Sequence, residues 1–305
     1  MMIKNYIENI LCYIESIYEE FKENLDCQEC LCKLKDESYF YSNHIPDYNK
    51  LYVQQLYLLR YAYAYIYEYM EMYSYIYKYL YENHFSYIIY GKTLSIGSGA
   101  GLDLYGLGLY LYLYDYNNVR FYRNLIYIGV DVVDWYYRPD RIFKVNFDFR
   151  KKDLNDIFNN KKIYSRIIIF PKSIGEIDNE ILIKLPEAII SNRIYIMISF
   201  ANNEDRKKLD ILIDSFDRYG FKSNILFNRN KVSKENKKEL SSLLPNYIYP
   251  QYIKEIISEL NINFCKNIDC CNSVKICNDN LNRYPTTSDI NFNYSIVEII
   301  KEHKR

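Results

Sequence analysis

Short apolar runs alternate with longer segments of helical character in the middle of this chain, and that alternation limits the folds open to it. Six runs of four to six residues follow Gly91. They span residues 93–96, 125–130, 142–145, 167–170, 194–199 and 224–228. The clearest helical segment between them covers 205–219, and Gly220 ends it. Strands that alternate with helices form a mainly parallel sheet with helices on both faces, so we expect a doubly wound α/β fold.

The first 90 residues have a helical pattern and form an N-terminal extension. Residues 1–24 space their apolar side chains for one helix face. Tyrosines alternate along 52–82, but a strand of that length would extend about 70 Å at ~3.3 Å per residue, far beyond the usual range. We predict one long helix instead. Its buried stripe consists of Leu59, Ala62, Ile66, Met70, Tyr73, Ile76 and Leu80, and its polar face holds Glu68, Glu71, Lys78 and Glu82.

Length and charge bound the class of protein. The 305 residues are 49% hydrophobic and carry a formal net charge of zero, which argues against a large nucleic-acid footprint. We expect an α/β domain over 91–230 and a helical or irregular, Cys-containing appendage over 231–305. No apolar run reaches the length of a membrane span, and the N-terminal segment does not resemble a signal peptide. We therefore expect a cytoplasmic protein with reduced cysteines.

Three glycines stand at alternate positions in the stretch TLSIGSGAGLDLYG, directly after the first apolar run. Glycine permits positive φ and lets a ligand approach the backbone, so Gly97, Gly99 and Gly101 predict a ligand-binding turn. A dinucleotide fingerprint would need glycine where Leu102 stands, and no phosphate-loop Lys-Ser or Lys-Thr follows. The turn is therefore not typical of pyrophosphate or triphosphate binding.

The stretch LSIGSGAGLDL instead resembles motif I of the class I S-adenosylmethionine-dependent methyltransferases, a Rossmann-like superfamily. The resemblance continues over about 91–230, through LIYIGVDVVDW, FKVNFDFR and RIIIFPKSIGEI. It implies an acid on the ribose at the second strand end, an acid near adenine after the third strand, and a substrate-facing loop after the fourth. The cofactor-binding residues implied are Ser95, Gly97, Ser98, Gly99, Gly101, Asp131, Val132, Asp148, Phe149 and Phe170.

The chain departs from the family pattern in three ways. Ser95 stands where many members have an acid, and the long interval before Asp131 predicts an insertion around 110–123. The absence of an Asn-Pro-Pro-Tyr motif disfavours amide or exocyclic-amine methylation of that style. Tight-turn or helix-cap roles remain open alternatives for the glycines and for Asp131.

Residues that could act on an acceptor are few. Lys172 and Ser173 follow the fourth strand, where they serve either as catalytic candidates or, with Glu176, as a cap and first helical turn. Arg60 in the long helix is a candidate partner for the cofactor's methionine carboxylate, and a surface arginine beside acids is the alternative. We expect that helix to close over the cofactor. None of the three histidines belongs to a motif.

Two cysteine clusters, Cys27-x-x-Cys30-x-Cys32 and Cys265 to Cys277, are candidate metal ligands. Only the first has the spacing of a zinc knuckle, so we predict no bound metal.

The sequence thus predicts an enzyme, an S-adenosylmethionine-dependent methyltransferase of the EC 2.1.1 class, acting on a small-molecule acceptor. An RNA or protein methyltransferase, using the mildly basic segment 206–238, is one alternative. An inactive S-adenosylmethionine-binding module is another. The acceptor and the atom methylated do not follow from the sequence.

Overall fold

A computed structural model describes residues 2–24, 46–85, 88, 91–114, 125–140, 142, 145–160, 162–230, 286 and 288–302. Its helices are α1 (Met2–Asn24), α2 (Leu51–Glu82), α3 (Leu102–Tyr114), α4 (Leu154–Asn160), α5 (Asn179–Ala188) and α6 (Arg206–Arg218). Its strands are β1 (Lys92–Ile96), β2 (Ile126–Asp131), β3 (Asn146–Lys151), β4 (Ile167–Pro171), β5 (Arg193–Ser199), β6 (Phe221–Arg229) and β7 (Tyr294–Lys301). Short 3-10 turns cover Ile174–Glu176 and Asp289–Asn291.

The seven strands form one sheet in the order β3-β2-β1-β4-β5-β7-β6. The first five in that order pair in parallel, and β7 runs antiparallel to both β5 and β6. The expected doubly wound, mainly parallel sheet is confirmed. Because β1 is central and its neighbours β2 and β4 are both parallel to it, the carboxyl ends of these three strands meet at one edge, the usual ligand edge of such sheets.

Two strands differ from the sequence-based expectation. Ile142 and Val145 lie outside any strand, and Val145 N–H donates to Ile142 O; the third strand is β3, which begins at Asn146. The antiparallel β7 comes from the end of the chain, where we expected helical or irregular structure. An alternating pattern and a short apolar run identify a strand only when a partner is available, and the partners of β7 lie 65 and more residues away in sequence.

The chain divides into two compact units. The first comprises Met1–Ala64, Trp135–Tyr137 and Ser233–Asn291, and the second comprises Tyr65–Asp134, Arg138–Val232 and Phe292–Arg305. The division falls within α2. Three parts of the chain lie outside the described residues: residues 231–285, most of the predicted insertion around 110–123, and all cysteines of the two clusters.

The first unit is built on α1 and the beginning of α2. Four residues of the predicted apolar face of α1 are buried, namely Ile7, Ile10, Ile14 and Ile17. A hydrogen-bonded chain joins the two helices, since Gln55 Nε2 lies 2.5 Å from the Tyr137 hydroxyl and that hydroxyl donates to Glu20 at 2.6 Å. Arg60 is also buried in this unit, and burial lowers the pKa of its guanidinium.

The second unit contains the whole sheet. Apolar side chains from β1, β4, β5 and β7 pack with those of α5 and α6 into one core. The second half of α2 belongs to this unit and approaches α3 closely: a Cβ on Gly106 would lie 2.6 Å from the Cβ of Tyr69 and 2.8 Å from Ile66 O. The predicted stripe of α2 is confirmed, because all seven of its residues are buried.

Helical spacing assigned one residue of α2, Glu68, to the wrong face. Glu68 is fully buried instead of solvent-exposed. Its ion-pair partner comes from the end of β4, as described below, and that partner compensates the buried charge.

Candidate functional site

The glycine turn after β1 has the backbone conformation that its sequence predicts. Gly97, Gly99 and Gly101 have φ angles of 68°, 53° and 73°. The N–H groups of Gly97 and Ser98 both donate to Val130 O, at 2.8 and 3.1 Å, which ties the turn to the end of β2. Left-handed φ at three alternate positions is costly for any residue with a Cβ, so the turn requires these glycines.

Gly97 also marks where two loops meet. A Cβ on Gly97 would lie 2.4 Å from the Cβ of Ser173. The Ser173 hydroxyl donates to Ile96 O at 2.5 Å, so it fastens the loop after β4 to the end of β1 and does not cap the following 3-10 turn. The structure thus brings Ser173 onto the glycine turn, as the order of strand ends predicts.

Asp131, at the end of β2, is oriented by two backbone donors. Its Oδ2 accepts from Gly99 N–H at 2.8 Å, and its Oδ1 accepts from Val133 N–H at 2.9 Å. Burial raises the pKa of Asp131, while these donors and Arg138 act in the opposite direction. Each carboxylate oxygen retains acceptor capacity for a ligand hydroxyl. The next residue, Val132, is 58% exposed and offers an apolar surface beside this carboxylate.

Phe149, on β3, forms a wall behind the turn. A Cβ on Gly101 would lie 2.7 Å from its ring, and a Cβ on Gly129 would lie 2.5 Å from it. The Arg138 guanidinium lies 5.0 Å from the ring centroid. Gly101 and Phe149, predicted separately from the sequence, are therefore neighbours.

Three other predicted site residues of the second unit lie away from the glycine turn or within the core, and a fourth, Arg60, belongs to the first unit. Asp148 does not follow the third strand: it lies within β3, its side chain is exposed, and its carboxylate accepts from Arg150 Nε at 2.6 Å. The side chain of Phe170 is part of the core, and Ser95 is buried beside Asp103 and Tyr127. The sequence predicted a third strand at 142–145, with Asp148 after it, whereas β3 begins at Asn146 and includes Asp148.

Lys172, directly after β4, is the only non-glycine residue with a left-handed backbone at the described part of this sheet edge. Lys172 has φ 61°, which costs of order 1–2 kcal/mol. Its ammonium donates to both carboxylate oxygens of Glu68 at 2.9 Å and to Phe200 O at 3.0 Å. The Ser199 hydroxyl donates to Glu68 as well, at 2.5 Å. Lys172 is thus held in a buried ion pair.

Sequence reasoning missed Glu68. A signal was present, because Glu68 lies four residues from Ala64 and four from Met72, and both neighbours are fully buried. Four-residue steps stay on one side of a helix, so Ala64, Glu68 and Met72 form a buried line. Burial raises the pKa of Glu68, while Lys172 and Ser199 act in the opposite direction.

Two further carboxylates lie near Asp131. Gly175 contacts Asp205, because a Cβ on Gly175 would lie 2.3 Å from Asp205 Oδ1. The Glu176 side chain is exposed to solvent. Partial desolvation, followed by the negative charges of Asp131 and Asp205, raises the pKa of its carboxyl to about 7. The end of β2 and the loops after β4 and β5 therefore each place a carboxyl group at this edge of the sheet.

The crevice fits a nucleoside ligand on the evidence of its own polar atoms. Ser98 is 4% exposed, and its hydroxyl has no hydrogen-bond partner among the residues that the structure describes. Buried hydroxyls normally have a partner, so this one is available to a ligand. Together with the three glycines of the turn and the oriented Asp131 carboxylate, it suits a ligand that presents hydroxyl groups.

Comparisons with known proteins give similarity of fold only. No protein-family model matches this chain, and no curated protein matches its sequence. A cyclopropane-fatty-acyl-phospholipid synthase-like protein from Lactobacillus casei is 9% identical over 90% of this chain and 100% of its own, with a TM-score of 0.38. Magnesium protoporphyrin IX methyltransferase from Synechocystis, with bound S-adenosylmethionine, is 8% identical over 89% and 97%, with a TM-score of 0.37.

A third solved structure has a lower TM-score. A TehB-like S-adenosylmethionine-dependent methyltransferase from Corynebacterium glutamicum is 11% identical over 76% of this chain and 98% of its own, with a TM-score of 0.33. Such values do not assign the chain to a family.

Within the described residues, no helix has both the length and the apolar character needed to cross a membrane. The same residues contain no group of three or more His, Cys, Asp or Glu side chains arranged to hold a metal ion.

Proposed function

We propose that this protein is an S-adenosylmethionine-dependent methyltransferase that acts on a small-molecule acceptor. The observation that carries the proposal is the hydrogen bond from Gly99 N–H to Asp131, which joins the glycine turn of β1 to the acid at the end of β2. In the proposed complex, Asp131 accepts from the ribose hydroxyls, Val132 packs on the adenine, and the turn Gly97–Ser98–Gly99 adjoins the rest of the cofactor. Ser98 supplies a hydrogen bond to it.

When bound, the cofactor supplies a methyl group on a sulfonium, which is already activated for displacement. The protein therefore has to align the acceptor and keep water out. The loop after β4 is suited to alignment, because the Ser173 hydrogen bond and the Lys172 ion pair fix it at both the β1 end and α2. We assign Lys172 and Ser173 to positioning, since Lys172 donates to Glu68 and Ser173 donates to Ile96 O.

A small-molecule acceptor is favoured by charge. The chain has a net charge of zero, and the carboxylates Asp131, Glu176 and Asp205 make the crevice edge negative, which disfavours a phosphate backbone. RNA or protein methylation and a non-catalytic binding module are the alternatives that the experiments must separate. The proposed location is cytoplasmic.

Two measurements test the proposal. Isothermal titration calorimetry of the full chain should detect S-adenosylmethionine and its demethylated product, S-adenosylhomocysteine, in preference to NAD. Transfer of labelled methyl from the cofactor into fractionated cell extract should label the small-molecule fraction. Preferential binding of NAD would overturn the proposed cofactor. Label in RNA or protein would overturn the acceptor class, and binding without transfer into any fraction would favour the non-catalytic module.

A further inference from the structure

Arg138 lies beside the glycine turn, although no sequence motif marks it. Its neighbour Pro139 approaches the turn, since a Cβ on Gly101 would lie 3.2 Å from Pro139 Cδ. The same Cβ would lie 2.7 Å from Phe149, and the Arg138 guanidinium lies 5.0 Å from the centroid of that ring, within the range of a cation–π contact. Arg138 therefore extends the wall that Phe149 forms behind the turn.

The guanidinium of Arg138 also holds the loop that follows β2. Its Nη2 donates to Val133 O at 3.3 Å, and its Nη1 donates to Asp134 Oδ1 at 3.2 Å. The N–H of Val133 donates in turn to Asp131 Oδ1 at 2.9 Å. Val133 thus connects the guanidinium to the carboxylate that we assign to the ribose.

One donor of Arg138 has no acceptor. Its Nε is buried and has no hydrogen-bond partner among the residues that the structure describes, while the side chain as a whole is 15% exposed. A buried N–H without an acceptor is costly, so an acceptor atom on a ligand would stabilise this arrangement. The unpartnered Ser98 hydroxyl lies beside the same ring, because a Cβ on Gly129 would lie 2.8 Å from Ser98 Oγ and 2.5 Å from Phe149 Cδ1.

The two acids predicted to bind the nucleoside can only accept hydrogen bonds when ionised. Asp131 suits ribose hydroxyls, which donate. Asp148, expected near the adenine, is exposed and accepts from Arg150 Nε. The ring nitrogens of adenine are themselves acceptors, so a protein group that recognises them must be a donor. The unpartnered N–H of Arg138 is a donor on the Asp131 side of the crevice.

We propose that Arg138 recognises the adenine of the cofactor through its Nε–H, which donates to a ring nitrogen of the base. This inference rests on the proposed function and adds to it a residue that determines specificity for the base. A guanidinium is planar and always charged, so it remains a donor of fixed direction at any physiological pH. Asp131 and Arg138 then divide the nucleoside between them: the carboxylate accepts from the ribose, and the guanidinium donates to the base.

Calorimetry of the full chain with S-adenosylhomocysteine and three analogues tests this assignment. Each analogue has a C–H group in place of N1, N3 or N7 of the adenine and so lacks one acceptor. One of the three should bind the unmodified protein about tenfold more weakly than S-adenosylhomocysteine, because it leaves a charged donor buried without its acceptor. Arg138→Met keeps an apolar side chain on Phe149 but has no donor. In that variant S-adenosylhomocysteine should bind about tenfold more weakly, and the penalty of that analogue should disappear.

Two further variants complete the design. Arg150→Met is the matched control, because Arg150 is a half-exposed arginine of β3 that pairs with Asp148. It should retain both the affinity and the penalty of the analogue. Thermal melts check that each variant folds, and Arg138→Leu takes the place of Arg138→Met if the latter does not.

Two results would overturn the assignment while leaving the proposed cofactor intact. One is that the unmodified protein binds S-adenosylhomocysteine and all three analogues equally well. The other is that the penalty of the analogue persists in Arg138→Met, because Arg138 would then act only by holding the loop. If S-adenosylhomocysteine does not bind the unmodified protein at all, the proposed function itself fails, and the inference fails with it.

Discussion

The ammonium of Lys172 lies 2.9 Å from each carboxylate oxygen of Glu68, and the two residues are 104 positions apart in the chain. Both side chains are buried, at 7% and 0% exposure. This pair connects the middle of α2 to the residue after β4, where the left-handed backbone of Lys172 turns the chain toward Ser173 and the glycine turn.

Removing one member of this pair should destabilise the protein strongly. Lys172→Met leaves a buried carboxylate without its cation, and we expect a loss of about 3–5 kcal/mol in the free energy of unfolding. The double variant Glu68→Gln/Lys172→Met should recover part of that loss. Urea denaturation measures both. Lys78→Met is the control, because the Lys78–Glu82 pair is exposed and such pairs contribute about 0–1 kcal/mol. Equal effects at the two lysines would contradict the assignment.

Gly97→Ala should reduce cofactor affinity by at least about tenfold, because its Cβ would overlap Ser173 and displace the turn. Gly220→Ala is a matched control: Gly220 also has a positive φ, of 78°, but a Cβ there meets nothing within 4 Å. The control should cost stability through backbone strain alone and leave affinity unchanged. Calorimetry and thermal melts separate the two effects, and adding Ser173→Gly to Gly97→Ala should restore part of the affinity.

The two predicted acids should behave differently on substitution. Asp131→Asn should weaken cofactor binding about tenfold or more, because its carboxylate is oriented at the glycine turn by Gly99 and Val133. Asp148→Asn should leave the Kd within a factor of about two, since the Asp148 side chain is exposed and pairs with Arg150 within β3. A larger effect at Asp148 than at Asp131 would show that the adenosine lies farther along the sheet than proposed.

Asp103 should make stability fall as the pH rises. Burial raises its pKa from 3.8 to about 6, although the hydroxyl of Tyr127 donates to both its carboxylate oxygens at 2.9 Å. The folded state therefore holds this proton more tightly than the unfolded state, so the contribution of Asp103 is fully present below about pH 4 and is lost as the pH rises through about 6. The change is at most about 3 kcal/mol at ~1.4 kcal/mol per pKa unit.

Urea denaturation between pH 4 and 8 checks this dependence. Asp103→Asn should flatten the decline relative to the unmodified protein, whereas Asp214→Asn, on the exposed side of α6, should not. Glu68, Asp131 and Glu176 also have raised pKa values, so the comparison between variants, not the absolute slope, is the test. An unchanged slope in Asp103→Asn would show that Asp103 is not the source.

Local pattern was sufficient for most elements of the second unit and for its glycine turn. The apolar spacing of α2 identified all seven residues of its buried stripe, and the short runs identified β1, β2, β4, β5 and the central part of β6. These features depend on which side of an element avoids water, and that is encoded within a few residues. The conformation of Gly97 and Gly99 follows for the same reason, because only glycine adopts a left-handed turn without cost.

Tertiary structure alone decided the features that depend on a distant partner. Helical spacing assigned Glu68 to solvent, yet the cation from Lys172 allows it to be buried. The alternation in β3 was visible in the sequence, but its pairing with β2 fixed where the strand begins and so placed Asp148 within it. Likewise, β7 forms a strand because it pairs with β5 on one side and with β6 on the other. Periodicity in the sequence shows which side of a helix or strand faces the protein interior. Charge compensation and strand pairing depend on groups that only the folded chain brings together.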